Sequence, residues 1–227
     1  MIYTRPFITP RFIAHAGDSR VHRLSLAVMV LDAFTEEPPL IPMSVRLKGL
    51  PQSAAVRNGS GFFCFEGDLP PGPYTLVFKP DRTTSDWYYL EPVGPVWEDT
   101  FERGVNLPLP DPLSPLEVAT FVPKPSYPFP ANATLVRGRV TRGTPDGVGG
   151  VVVSTSYQHV DPPGGPPGPV AVKTLTDREG EFVLFFKRLP GATQTVTLSA
   201  DMSGAHAQQP VTITEGTTRK GVQLDLP

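Results

Sequence analysis

Proline or glycine interrupts this sequence so often that long helices are excluded. The chain of 227 residues contains 29 prolines and 21 glycines. Both residues are unfavourable inside a helix, because proline removes a backbone N–H and clashes with the preceding turn, and glycine loses more conformational entropy than any other residue. The sequence therefore predicts strands and loops with very little helix.

Short apolar segments of the kind that form β-strands lie between these breaks. Residues 23–34 (RLSLAVMVLDAF) are rich in Val and Leu, and in residues 41–49 (IPMSVRLKG) the apolar Met43, Val45 and Leu47 alternate with polar neighbours. A period of two indicates one buried face. Further segments follow at intervals of about 8–12 residues, which is typical of a β-sandwich.

A polar turn followed by an apolar strand and a Leu-Pro pair occurs twice. Residues 57–72 read RNGSGFFCFEGDLPPG and residues 176–191 read TDREGEFVLFFKRLPG. We align Gly61 with Gly180 and residues 62–65 with residues 182–185. The second half contains segments for seven strands, so the sequence predicts an all-β chain of two tandem seven-stranded sandwiches of immunoglobulin-like or prealbumin-like type.

An N-terminal arm, a linker and a loop accompany the two predicted domains. The predicted boundaries are an extended N-terminal arm at residues 1–20, a first sandwich at 21–105, a proline-rich linker at 106–133 and a second sandwich at 134–227. Residues 106–130 contain 8 prolines in 25 positions. Apolar residues are too frequent in that stretch for a solvated tether, so part of it is expected to pack. A proline- and glycine-rich loop is expected at residues 160–169.

The second half carries a set of motifs that resembles a known family. A Gly-Xaa-Val strand at 138–140, a Gly-Val-Val-Val strand at 150–153, the turn TDREGEF at 176–182 and Leu-Pro-Gly at 189–191 are similar to the carboxypeptidase regulatory-like domain, a prealbumin-like (transthyretin-like) sandwich. The resemblance covers residues 135–227. It is weaker over residues 20–106, where Asn58 replaces the Asp of the turn.

The turn motif has a local physical explanation. Asp177 can accept hydrogen bonds from backbone N–H groups shortly after it, and Gly180 supplies the positive φ that such a turn often needs. The following Phe then enters the core in a fixed register. These residues have a structural role and no chemical one.

Composition and motifs give no sign of catalysis, a cofactor, a metal site or nucleic acid binding. The formal net charge is −2 and no run of Lys or Arg stands out, so a phosphate backbone is not an expected partner. Cys64 is the single cysteine, and the histidines (His15, His22, His159 and His206) lack zinc-site spacing. No nucleophile-elbow Gly-Xaa-Ser-Xaa-Gly or phosphate loop occurs. We expect a protein that is not an enzyme.

Localisation follows from the start of the sequence and from its hydropathy. Pro6 and Pro10, with Arg5 and Arg11, interrupt any apolar core of a signal peptide, and no stretch approaches the roughly 20 apolar residues of a membrane helix. The sequence predicts a protein that is cytoplasmic at synthesis, with no membrane span, and that is then incorporated into a virion or tail-like particle.

The aromatic residues outside the clear strands are the candidate interface. They are Tyr3, Phe7, Phe12, Trp87, Tyr88, Tyr89, Trp97, Phe121, Tyr127 and Phe129. Trp and Tyr are favoured at interfaces and also close the ends of sandwich cores, and both interpretations remain open. The favoured hypothesis is a structural protein that binds neighbouring subunits of a phage tail or contractile injection particle, as a baseplate, cap or decoration protein. The alternative is a carbohydrate- or peptide-binding module using residues 87–89 or 160–169.

Overall fold

The computed structural model describes residues 11–16, 18–39, 41–50, 55–67, 69–80, 88–90, 101–110, 115–161 and 163–227. Every regular element in these residues is a strand, and no helix occurs among them. The chain divides into a first unit of residues 1–85 and 98–121 and a second unit of residues 86–97 and 122–227. The predicted all-β chain with two β-sandwiches is confirmed.

Nine strands precede the second sandwich: β1 (Arg11–Ala16), β2 (Asp18–Asp32), β3 (Met43–Leu47), β4 (Val56–Arg57), β5 (Phe63–Glu66), β6 (Gly72–Pro80), β7 (Tyr88–Leu90), β8 (Phe101–Leu107) and β9 (Leu116–Pro123). Seven strands form the second sandwich: β10 (Thr134–Arg142), β11 (Val152–Val160), β12 (Pro167–Leu175), β13 (Glu181–Phe186), β14 (Thr193–Met202), β15 (Ala205–Thr214) and β16 (Thr218–Leu226). Each of the seven segments predicted in the second half forms one of these strands.

The first nine strands form two sheets. One has the order β4-β5-β2-β9-β7, with β1 paired to the beginning of β2, and the other has the order β3-β6-β8. Strand β2 runs antiparallel to β5 and parallel to β9. The side chains between the sheets include Leu26, Leu76, Phe78 and Phe121, all of them fully buried.

The second unit repeats this arrangement. One sheet has the order β13-β10-β16, in which β10 is antiparallel to β13 and parallel to β16. The other has the order β12-β11-β14-β15 with antiparallel neighbours. Val153, Phe182, Leu184, Leu198 and Ile213 are among the core residues. Strands β5-β2-β9 therefore correspond to β13-β10-β16, and β3-β6-β8 correspond to β11-β14-β15.

The repeated turn has the same hydrogen bonds in both units. Asn58 Oδ1 accepts from the N–H of Ser60 at 3.0 Å and of Phe62 at 2.9 Å. Asp177 Oδ1 accepts from the N–H of Glu179 at 3.1 Å and of Glu181 at 2.8 Å. The acceptor thus reaches residues two and four positions on, and the amide of Asn58 performs the same task as the carboxylate of Asp177.

These bonds correct the alignment that the sequence suggested. Because Asn58 corresponds to Asp177, Glu181 takes the place of Phe62, and the buried Phe63 corresponds to the buried Phe182. The alignment of residues 62–65 with residues 182–185 is therefore wrong by one position. The similar runs of Phe residues suggested the wrong alignment, because the turn sets which of these residues face the core.

Gly180 adopts the positive φ predicted for it, at +76°. Its Cα packs so closely against the preceding loop that an added Cβ would lie 2.5 Å from the Cα of Gly147. A Cβ on Gly147 would in turn lie 1.8 Å from the carbonyl oxygen of Glu179. Two backbone segments therefore cross in contact where residues 147–148 meet residues 179–180, which only glycine allows.

Part of the predicted N-terminal arm is a strand. Strand β1 pairs antiparallel with residues 18–23 of β2, from Arg11 opposite Arg23 to Ala16 opposite Asp18. Residues 11–16 contain no proline, so each can supply its N–H to a ladder. The remainder of the arm, residues 1–10, lies outside the described residues.

The loop predicted at residues 160–169 is shorter in the structure. Strand β12 begins at Pro167, and its pairing with β11 continues through Pro169 opposite Gln158. Proline is tolerated there because β12 is an outer strand of its sheet, where a missing N–H breaks no ladder bond. Pro210 occupies β15, the outer strand on the other side of the same sheet.

Candidate functional site

Three of the candidate aromatic residues form one cluster in the second unit. The ring centroids of Tyr88 and Tyr127 are 5.4 Å apart, and those of Tyr127 and Phe129 are 4.7 Å apart, both with edge-to-face geometry. Tyr88 is 1% exposed and Tyr127 is 3% exposed. The cluster packs the proline-rich strap, as we name residues 122–133, against β7.

Arg137 of strand β10 holds the same strap. Its guanidinium carbon lies 5.5 Å from the centroid of the Phe129 ring, and its Nη1 donates to the carbonyl oxygen of Pro125 at 2.6 Å. Burial lowers the pKa of Arg137, while the nearby carboxylate of Glu181 acts in the opposite direction. The strap is thus anchored by a ring contact and a charge-assisted hydrogen bond, which are among the stronger polar contacts in proteins.

The other candidate residues are distributed differently. Phe121 is fully buried in the first unit, where its ring contacts Phe78 at 5.7 Å and Phe101 at 5.3 Å between centroids. Phe12 lies in β1 and Tyr89 in β7. Tyr3, Phe7, Trp87 and Trp97 lie outside the described residues.

Three of the candidate aromatic residues are buried within the chain. The side chains of Tyr88, Phe121 and Tyr127 are enclosed within the chain, as the core alternative requires, and they present no exposed ring to a partner. Phe129 is half-buried. Sugar binding needs an exposed aromatic face, so Tyr88 cannot provide a stacking platform in this conformation.

A groove lined by cationic side chains crosses the sheet β13-β10-β16. It has a volume of about 430 Å³, and its lining includes Arg137, Arg139, Lys220, Gln223 and one carboxylate, Glu181. Arg139 lies opposite Glu181 on β13 and opposite Gln223 on β16. The sequence did not reveal this groove, because its cations come from strands about 80 positions apart and only the parallel pairing of β10 with β16 brings them together.

The floor of this groove is shaped by a β-bulge. Val136 pairs with Arg219 and Gly138 pairs with Val222, so β16 contains one residue more than β10 over this interval. Gly221 has a φ of +73° within the bulge. A Cβ on Gly138 would lie 2.2 Å from the carbonyl oxygen of Val222 and 2.6 Å from the buried ring of Phe182, so packing on the core side of the sheet requires glycine at this position.

A ribbon formed by β1 and the start of β2, residues 11–23, is the second feature of note. Residues 18–23 pair with β1, whereas the pairing of β2 with β5 and β9 starts at Leu24 and Ala27. No other described strand pairs with residues 18–23. An isolated two-stranded ribbon is only marginally stable in water.

His159 and His206 have structural partners. His206 Nδ1 lies 2.6 Å from Asp201 Oδ1, and His159 Nδ1 lies 2.8 Å from the carbonyl oxygen of Lys187. Burial, with a contribution from Glu66, raises the pKa of the Cys64 thiol, as expected for a small apolar residue. Among the described residues, no group of three or more His, Cys, Asp or Glu side chains is arranged to hold a metal ion.

Two Asn-Xaa-Ser/Thr sequences occur in the chain, at residues 58–60 and 132–134, and both contain residues with structural roles. The side chain of Asn58 is engaged in the repeated turn. Thr134, the third residue of the sequence at 132–134, accepts a hydrogen bond from the N–H of Gly216 at 2.8 Å.

Within the described part of the chain there is no helix long and apolar enough to cross a membrane.

No protein-family model matches the sequence, and no curated protein matches it. Among solved structures, the shaft pilin SpaA of Lactobacillus rhamnosus GG is similar with 10% identity and a TM-score of 0.30, over 90% of this chain and 98% of the pilin. A minor pilin of Streptococcus agalactiae has 14% identity and a TM-score of 0.27, over 89% and 97% of the two chains.

The Bacillus anthracis TIE protein has 14% identity and a TM-score of 0.29, and the alignment covers 89% of this chain and 34% of that protein. The finer resemblance to the carboxypeptidase regulatory-like domain stays a prediction from the motifs.

Proposed function

We propose that this protein is a non-catalytic structural protein that binds neighbouring subunits of a larger assembly. The observation that carries the proposal is the ribbon of residues 11–23, which is paired within itself but with no other described strand. Such a ribbon leaves backbone N–H and C=O groups along its edges, and these groups are suited to strand addition with a partner. A neighbouring subunit would supply the contacts that a two-stranded ribbon lacks.

The fastened strap supports the same function. An assembly subunit must transmit position from one contact to another, which requires ordered connections rather than loose tethers. In the second unit the strap is held by the rings of Tyr127 and Phe129 and by Arg137. A proline-rich segment fixed in this way acts as a structural element.

The experiment that tests the proposal compares the full chain with a variant lacking residues 1–22. The deletion leaves Leu24 of β2 with its partner in β5 and Ala27 with its partner in β9, so the first sandwich keeps its pairing. Both proteins are tagged and isolated from the source cells, and the proteins retained with them are identified by mass spectrometry. We expect stoichiometric partner subunits with the full chain and their loss with the deletion variant.

Two results would contradict the proposal. One is a full chain that remains monomeric in light scattering and retains no partner, and the other is a deletion variant that retains the same partners. Circular dichroism of the deletion variant serves as the folding control, since a retained β-spectrum separates loss of contact from loss of fold.

The particle to which the protein belongs is a finer part of the proposal. A phage tail or contractile injection particle, with this chain as a baseplate, cap or decoration subunit, rests on the analogy of small sandwich modules. The similar structures named above are not tail proteins. The partners identified in the same experiment decide it, because sheath or tube proteins would support this setting and any other assembly would overturn it.

A further inference from the structure

We propose that the cationic groove on the sheet β13-β10-β16 binds an acidic, extended peptide segment of a protein partner. The juxtaposition that carries it is the placement of Arg137 and Arg139 of β10 beside Lys220 in the bulge of β16. The inference rests on the proposed function, because it names the chemistry of one partner of the assembly.

The groove is locally positive in a chain that is slightly negative. Three cations and one carboxylate, Glu181, line it, whereas the whole chain has a formal net charge of −2. Charge complementarity between a positive groove and an acidic segment steers association and fixes orientation more than it sets affinity. The groove therefore favours an acidic partner over a neutral or basic one.

The arginines are held in place before any ligand binds. Arg139 Nε donates to the carbonyl oxygen of Glu179 at 2.8 Å, and Arg137 is fixed by Pro125 and Phe129. The planar guanidinium group matches a carboxylate with paired N–H groups. Restraining these long side chains in advance lowers the entropy cost of binding.

The bulge in β16 explains why Lys220 belongs to the groove. Bulges in edge strands redirect side chains and interrupt pairing, and they occur often next to binding sites. Here the extra residue falls between Arg219 and Val222, at Lys220 and Gly221. The amide of Gln223, which donates to Thr141 Oγ1 at 3.3 Å, supplies a polar group one position beyond the bulge.

An extended peptide suits the shape better than a compact anion. The groove spans three strands, and neighbouring strands lie about 4.8 Å apart, so its width of about 10 Å fits about three residues of extended chain. Its cations lie on two neighbouring strands, Arg137 and Arg139 on β10 and Lys220 on β16, and Glu181 of β13 stands opposite Arg139. A small, highly charged anion would need the cations to converge on one point.

The test measures binding of a fluorescein-labelled hexaglutamate to the full chain by anisotropy, at low salt and at about 0.3 M salt. We expect saturable binding that weakens about tenfold or more at the higher salt, as screening requires. The double variant Arg139→Gln/Lys220→Gln is expected to weaken binding at least about fivefold. The matched control Lys79→Gln/Lys173→Gln removes the same charge from exposed strand positions outside the groove and is expected to change it less than about twofold.

Three results would overturn the inference. They are the absence of saturable binding at low salt, equal weakening by the control variant, and displacement of the peptide by sodium pyrophosphate at concentrations where free glutamate has no effect, which would assign the groove to phosphate. None of these results bears on whether the ribbon of residues 11–23 captures partner subunits, so failure here is distinguishable from failure of the proposed function.

Discussion

Asn58 and Asp177 show how little of the turn depends on charge. Both side chains accept N–H groups two and four positions further on, with one oxygen each. The amide accepts these bonds without a desolvation cost for a charge, whereas burial raises the pKa of Asp177 despite the opposing effect of the N–H bonds from Glu181 and Glu179. Burial therefore opposes the ionisation of Asp177 in the second turn, whereas the side chain of Asn58 in the first turn carries no charge.

This difference predicts a pH-dependent effect of Asp177→Asn. The native carboxyl group keeps its proton to a higher pH than the unfolded one, so its contribution to stability is present below the ordinary pKa of about 3.9 and is lost as the pH rises through the raised native pKa. The Asn variant has no such loss. We expect its melting temperature to equal that of the native chain near pH 4 and to lie above it, by up to about 2 °C, at pH 7.

The control for this prediction is Asp177→Ala, which removes the acceptor altogether. Loss of a side-chain acceptor that holds backbone N–H groups costs about 1 kcal/mol. The Ala variant should therefore melt below the native chain at both pH values. An Asn variant that melts below the native chain by the same amount at pH 4 and pH 7 would contradict the argument.

Among the strands, the patterned ones could be predicted from the sequence and the irregular ones could not. Strands β10 to β16 follow from alternating apolar residues and turn signals. The beginning of β12 at Pro167 was missed because proline is a break in a central strand and acceptable only in an outer one. Whether a strand is outer is a property of the sheet, which a local pattern does not contain.

The cationic groove and the aromatic cluster could not be predicted from local sequence patterns, because each brings together residues that are far apart in the chain. Arg139 and Gln223 meet because β10 and β16 are parallel neighbours, and Tyr88 meets Tyr127 across a stretch that contains β8 and β9. The sequence identified the aromatic residues as candidates for an interface or for closing a core. It could not state which of them would be enclosed.

The prolines of β12 carry a prediction about the open edge of the sheet. Pro167 and Pro169 supply no N–H, so the outer edge of β12 is a poor template for another strand. Replacing both, as Pro167→Thr/Pro169→Val, restores two N–H groups and adds β-favouring side chains. We expect a folded chain that self-associates at concentrations where the native chain does not, measured by light scattering coupled to size exclusion.

The matched control is Pro163→Thr, which changes a proline in the turn between β11 and β12, outside both strands. It should leave the oligomeric state unchanged. A double variant that behaves like the native chain in light scattering at every concentration would show that these prolines do not protect the edge.

At the scale of the whole molecule, the units do not follow the order of the chain. Residues 86–97 belong to the second unit although the strands before and after them, β6 and β8, are neighbours in a sheet of the first. Tyr88 is a described residue that illustrates this assignment, because its ring packs on Tyr127 of the second unit and the residue is 1% exposed. A boundary drawn along the sequence would therefore assign Tyr88 to the other unit.

Tyr88→Ala should accordingly loosen the strap, on which its ring packs. Truncating a buried aromatic side chain costs about 3 kcal/mol or more, because the transfer energy and the cavity act together. Native-state hydrogen exchange on the full chain reads the opening energy strand by strand. We expect faster exchange at the strap amides of Tyr127 and Phe129, which donate to the carbonyl oxygens of Lys124 and Tyr127, with β2 to β6 unchanged. The control Phe101→Ala, whose ring contacts Phe121 in the first unit, should accelerate exchange in β6 and leave the strap unchanged. Equal acceleration in the strap and in β2 to β6 with Tyr88→Ala would show that the effect is not local to the cluster, whereas unchanged exchange in the strap would show that the tyrosine does not hold it.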